Sequence, residues 1–200
     1  DESASASRSL TFQSGRQSLR FPRLEAARLL MAWPMAAAND QDSVMGADLA
    51  TTLLAEGRRS RLVQRLREDL QIVESIDMDV TVMEQGSLVM LEACCPEDQI
   101  EQVEAVIEEE LKRATVDAIA DDELHRAQQL VGNGLRFSLE APGSVAAIAG
   151  SQSLWGRTQA LLSPLSYLQT WTVERLQESL LPRLQPDQAF TLLALPEDSE

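Results

Sequence analysis

The stretch GRRSRLVQRLREDLQIVES, Gly57 to Ser75, gathers five of the chain's 17 basic residues between positions 58 and 67 of an otherwise strongly acidic sequence. Gly57 is a good stop for a preceding helix. Leu62, Val63, Leu66 and Leu70 then recur at a spacing that predicts a new helix over about Ser60 to Leu70 with one apolar face. Arg58, Arg61 and Arg65 share a side of that helix, while Arg67 projects from another, next to the inward Leu66. The plain reading is a solvated helix face paired with nearby glutamates, an arrangement that contributes little to stability. The functional reading is a fork of donors that grips a peptide carbonyl or carboxylate, and Arg67 is its best candidate.

On the N-terminal side, the short apolar runs Leu19 to Phe21 and Ala26 to Trp33 predict strands, punctuated by Pro22 and Pro34. Asp42 to Ala55 predicts a helix through Val44, Met45, Leu49, Leu53 and Leu54. On the C-terminal side, residues 72–82 and Ser87 to Cys95 predict a hairpin turning at Glu84-Gln85-Gly86. Pro96, Glu97 and Asp98 open a helix with the stripe Ile100, Val103, Ile107 and Leu111, closed by Lys112 and Arg113 in the order the helix dipole favours. Asp121 begins another, with Leu124, Ala127, Leu130 and Val131 inward, continuing toward Phe137 through Gly132 and Gly134. Two interior glycines predict a bend or a close packing contact. Pro142 starts a small-residue helix to Trp155. Short helices carry Tyr167, Leu168, Trp171, Val173 and Leu176 after Pro164, and Ala189 to Leu195 predicts a last strand. Paired strands with later helices indicate an α+β class rather than a doubly wound sheet.

With 200 residues, 44% of them hydrophobic, the chain can bury roughly 70% of its unfolded surface in one core. Thirty-two acidic residues against 17 basic ones leave a net charge of -15, which repels nucleic acid and anionic membrane surfaces. The apolar runs fall short of the roughly 20 residues a spanning helix needs, so no membrane insertion is expected. Residues 1–15, opening Asp-Glu-Ser-Ala-Ser-Ala-Ser, read as a flexible linker ahead of one domain over 16–200, and as the start of a piece cut from a longer polypeptide.

Self-sufficient hydrolytic chemistry finds little support. The only histidine, His125, lies two positions from Glu123, about 200° away around a helix, so the two cannot face one ion. Catalytic zinc takes three protein ligands, and nothing supplies the rest. There is no Gly-x-Ser-x-Gly elbow and no glycine-rich phosphate loop. Cys94 and Cys95 are neighbours that a strand points to opposite faces, one expected buried and one not. They form no disulfide framework. Free thiols suit the cytoplasm, and a periplasmic protein without disulfides fits as well.

Taken in order, these segments resemble the C-terminal, non-zinc domain of the inverzincin metallopeptidases, the family of insulinase, pitrilysin and the mitochondrial processing peptidase. Arg28-Leu29 with Ala32-Trp33-Pro34 looks like its first strand, and Ile119 to Ala127 like its Glu-Leu-x-x-Ala helix. Ser138-Leu-Glu140, Gly143-Ser144 and Thr191 to Pro196 follow in the expected order, with Leu162 to Arg183 compressed. The resemblance implies a two-layer fold, a mostly antiparallel sheet covered on one face by helices. It also implies a non-catalytic half of a zinc peptidase, walling a peptide-enclosing chamber while a partner domain or subunit carries zinc through His-x-x-Glu-His. In active members an arginine at the position of Arg67 and a tyrosine seven residues later reach the substrate. Here Glu74 replaces the tyrosine, and Gln71 stands where glycine is common. An ionised glutamate cannot donate a hydrogen bond and would repel an oxyanion. The alternative is therefore a catalytically inert structural or chaperone-like subunit of the same fold. An unrelated acidic α+β binding domain would have the same composition.

Overall fold

The computed structural model describes residues 11–197. Most of the expected linker, residues 1–10, lies outside them, and residues 11–14 carry neither helix nor strand. Five strands form one sheet: β1 (Gly15–Phe21), β2 (Ala27–Met35), β3 (Ser75–Thr81), β4 (Ser87–Cys95) and β5 (Phe190–Pro196), in the order β1-β5-β2-β4-β3. Only β1 and β5 run parallel; every other pairing is antiparallel.

The period-2 pattern of the sequence decides which face is covered. Ala27, Leu29, Met31, Trp33 and Met35 of β2 are buried, and register sets Leu29 opposite Ala93, Met31 opposite Leu91 and Trp33 opposite Val89. Helices α1 (Gln41–Ala55) and α2 (Ile100–Val116) pack on this face. Ile100, Val103, Ile107 and Leu111 of α2 are all buried, as their spacing requires. The intervening residues of β2 and β4 face outward, where Arg28 pairs with Glu92. Trp33 is fully buried and donates its indole Nε1–H to the Gln185 carbonyl at 2.9 Å, which ties the central strand to the segment before β5. The result is a two-layer α+β domain with one core.

Pro34 lies inside β2 rather than ending it. Pairing of β2 with β5 stops at Ala32–Phe190, so Pro34 falls where one side of the strand is open and a missing donor is tolerated. Strand β1 runs four residues further back than its apolar run, because an exposed edge needs no apolar alternation. Arg16 fixes it to α2 through a bidentate pair with Glu104, both bonds 2.9 Å.

Helix α3 (Asp121–Ser138) runs through both glycines. Gly132 is the packing contact: a Cβ there would sit 3.7 Å from Leu165 and 3.8 Å from Leu168, whereas one on Gly134 would meet nothing. Leu124, Ala127 and Val131 are buried as expected, but Leu130 is exposed, on the rim of a cavity beside α1. Helix α4 (Pro142–Leu154) buries only Gln152. Beyond it, α5 (Ser163–Leu168) and a chain of single turns from Val173 to Gln188 lead into β5.

Candidate substrate-facing site

The Arg-rich segment begins where α1 ends. Gly57 adopts φ +80°, a left-handed conformation that glycine takes without strain, and this turns the chain away from α1. Ser60 is fully buried and donates its hydroxyl to the Gly57 carbonyl at 2.7 Å. Leu62, Val63 and Leu66 enter the core as predicted, while Leu70 is only half-buried. Val63–Asp69 departs from α-helical geometry and forms a π-helix: Leu70 N–H bonds the Arg65 carbonyl five residues back. Gln71 then takes φ +55°, and Ile72 N–H closes on the Leu66 carbonyl. The left-handed turn explains why glycine suits position 71. Widened turns of this kind recur at functional sites because they re-aim side chains.

The arginines divide into two groups. Arg61 is held by Glu123 through two hydrogen bonds of 3.1 Å and also donates to the Ala118 carbonyl. Burial alone would raise the Glu123 pKa, but the Arg61 bonds and the Ala120 N–H outweigh it and hold the carboxyl below its usual range. Arg58 pairs with Glu68 at 3.2 Å, and Arg59 approaches Asp122 at 3.9 Å. These three fulfil the plain reading of a paired helix face. The Arg65 and Arg67 side chains make no hydrogen bond or ion pair among the described residues, and Arg67 is exposed on the π-helix.

Glu74 lies just before β3, with its N–H on the Cys94 carbonyl at 2.8 Å and its carboxylate 3.7 Å from the Cys94 thiol. Both cysteines are buried, which corrects the expectation of one exposed thiol: Cys94 faces the outer side, but Glu74 sits over it. Burial, then the neighbouring negative charges, pushes Cys95 up to about 11 and raises Cys94 in the same direction. Both are inert thiols at neutral pH.

His125 is exposed on α3 and contacts Gln129 at 3.0 Å. Among the described residues no three His, Cys, Asp or Glu side chains come together as a metal site. The donor set among the described residues does not fit catalytic zinc, which takes three protein ligands.

A family profile described as the peptidase M16 inactive domain matches residues 7–131, more than half of the chain. The chain belongs to the peptidase M16 inactive-domain family. Solved structures carry the same fold along almost its whole length. The M16 inactive domain from Pseudomonas fluorescens is 16% identical with a TM-score of 0.81, over 94% of this chain and 45% of that one. The inactive peptidase domain of a candidate zinc protease from Bordetella parapertussis is also 16% identical, with a TM-score of 0.79, over 90% and 96%. The periplasmic protease PqqL from Escherichia coli is 18% identical with a TM-score of 0.72, over 98% of this chain and 22% of that one. A search of curated proteins gives no match. This M16 inactive domain thus spans about half the length of several structures it matches, 45%, 45% and 44% for three of them. Among its described residues no helix is long and apolar enough to cross a membrane.

Proposed function

We propose that this M16 inactive domain is the non-catalytic half of a zinc-dependent peptidase, in which residues 16–200 wall a peptide-enclosing chamber and a zinc-carrying domain or subunit performs hydrolysis. Family membership supports the reading, and the observation that carries it is Arg67: an exposed guanidinium without a protein partner, on a widened turn where Arg58, Arg59 and Arg61 are already paired and the other unpaired arginine, Arg65, is partly covered. Arg67 would hold a peptide carbonyl or carboxylate beside the partner's metal, where a planar fork of donors gives both charge and orientation. The chain's own residues bind and orient; zinc on the partner would supply the activated water. Two free buried thiols accord with a cytoplasmic home and equally with a periplasmic one.

The test is reconstitution of peptide cleavage with the partner that bears His-x-x-Glu-His, using wild type and Arg67→Ala. Loss of a charge-assisted contact predicts that kcat/KM falls roughly tenfold or more, with the melting temperature unchanged. An equal rate removes Arg67 from the site. A second reading rests on Glu74, an acceptor where active relatives of this type place a donor: a structural subunit of the same fold. Under that reading cleavage by the partner is indifferent to this chain altogether.

A further inference from the structure

A cavity of about 540 Å³ lies between α1, α3, α4 and the connection that follows α4. Its walls are mainly apolar, with Val131, Leu135, Ile148 and Trp155 among them. Two groups of opposite charge line it without partners. Arg157 follows the left-handed turn at Gly156, its guanidinium carbon 5.0 Å from the centre of the Trp155 ring. Its Nε and Nη2 are sealed from solvent and meet no acceptor. On the α1 wall, the Asp48 carboxylate has no hydrogen bond or ion pair among the described residues, and Glu56 stands two turns further along the same face.

A shielded guanidinium without an acceptor is costly, because the lost hydration is not replaced. A half-buried carboxylate without a donor carries a smaller penalty of the same kind. In this molecule the two do not relieve each other by pairing. A single occupant with a cationic end and an anionic end would give Asp48 a donor and the Arg157 Nη1, which is not among the sealed atoms, an acceptor, and the apolar walls would take the body between them. The volume lies inside the range of small-molecule sites, which combine apolar walls with a few charged groups in the same way. A phosphate-bearing ligand is disfavoured, since Asp48 and Glu56 would repel its extra charge.

We propose that this cavity binds a small apolar zwitterion, with its ammonium toward Asp48 and its carboxylate toward Arg157. The chemistry is met by an ω-amino fatty acid or by a short apolar peptide with free ends. The site is distinct from the Arg67 contact and stands or falls without it.

Trp155 offers the readout, because its fluorescence changes when the cavity fills; Trp155→Phe shows that the signal is local. Titration of the chain with ω-aminooctanoate and with dileucine tells which source fits better, and a saturable signal from either is the expected result. Octanoate and octylamine, or acetylated and amidated dileucine, each lack one charge and should bind about tenfold or more weakly. Arg157→Gln should erase the preference for a free carboxylate, and Asp48→Asn the preference for a free ammonium, each judged on protein with an unchanged circular dichroism spectrum. The proposal is overturned by absence of saturable binding of both zwitterions. It is equally overturned by single-charge analogues that bind as well, or by variants that keep the wild-type preferences.

Discussion

Asp48 shows how much a single half-buried carboxylate shapes this domain's response to pH. Burial first, and then the charge of Glu56, push its pKa from an ordinary 3.8 up to about 6. A raised carboxylate pKa means that the folded state binds the proton more tightly than the unfolded chain, so Asp48 costs stability as pH rises from about 4 to 6 and keeps costing it above that. Asp48→Asn should therefore stabilise the protein at pH 7 by ~2 kcal/mol, and the gain should vanish near pH 4. Urea denaturation of both proteins across that window measures it; a gain that grows toward acid pH contradicts the assignment. Asp48 did not stand out in the sequence, because 32 acidic residues make any one of them unremarkable until its surroundings are known, and Arg157 lies outside the basic run at 58–67. Arg67 could be picked out, since it projects beside an inward leucine in a run of opposite charge to the rest of the chain. Which arginines would be paired was not legible, because Glu123 and Asp122 reach them from a separate helix.

Elements with a strong stripe were the easiest to read. The α2 stripe and its charge order, the β3–β4 hairpin and the α1 stop at Gly57 follow from local rules, and each lies where periodicity places it. Features imposed by packing were hidden: the extended edge strand β1, its parallel pairing with β5, and the π-turn at Val63–Asp69. Gly46 is a further hidden feature. In the middle of α1 a glycine costs helix stability by about 1 kcal/mol relative to alanine, yet a Cβ here would lie 2.1 Å from the Trp171 ring. That ring cannot move aside readily: it is buried, donates its Nε1–H to the Asp42 carbonyl at 3.2 Å, and has Arg175 stacked 3.9 Å from its centre. Gly46→Ala should destabilise the domain by ~1–3 kcal/mol despite the better helix former, through overpacking. An unchanged or raised denaturation midpoint would show that Trp171 does not seat on α1 as described.

For the whole molecule, the proposal is a division of labour between this domain and a zinc-carrying partner. Under the proposed function this domain is one wall of a chamber, and enclosing a flexible peptide takes a second. Catalytic zinc takes three protein ligands, and the described residues bring no such set together. The division of labour with a partner therefore makes its clearest prediction for the chain by itself. The most direct measurement is metal content after equilibrium dialysis against micromolar zinc, taken with a peptide cleavage assay on the same sample. The account predicts far less than one zinc per chain and no cleavage until the His-x-x-Glu-His partner is added; one tightly held zinc per chain, with cleavage by the chain alone, would contradict it.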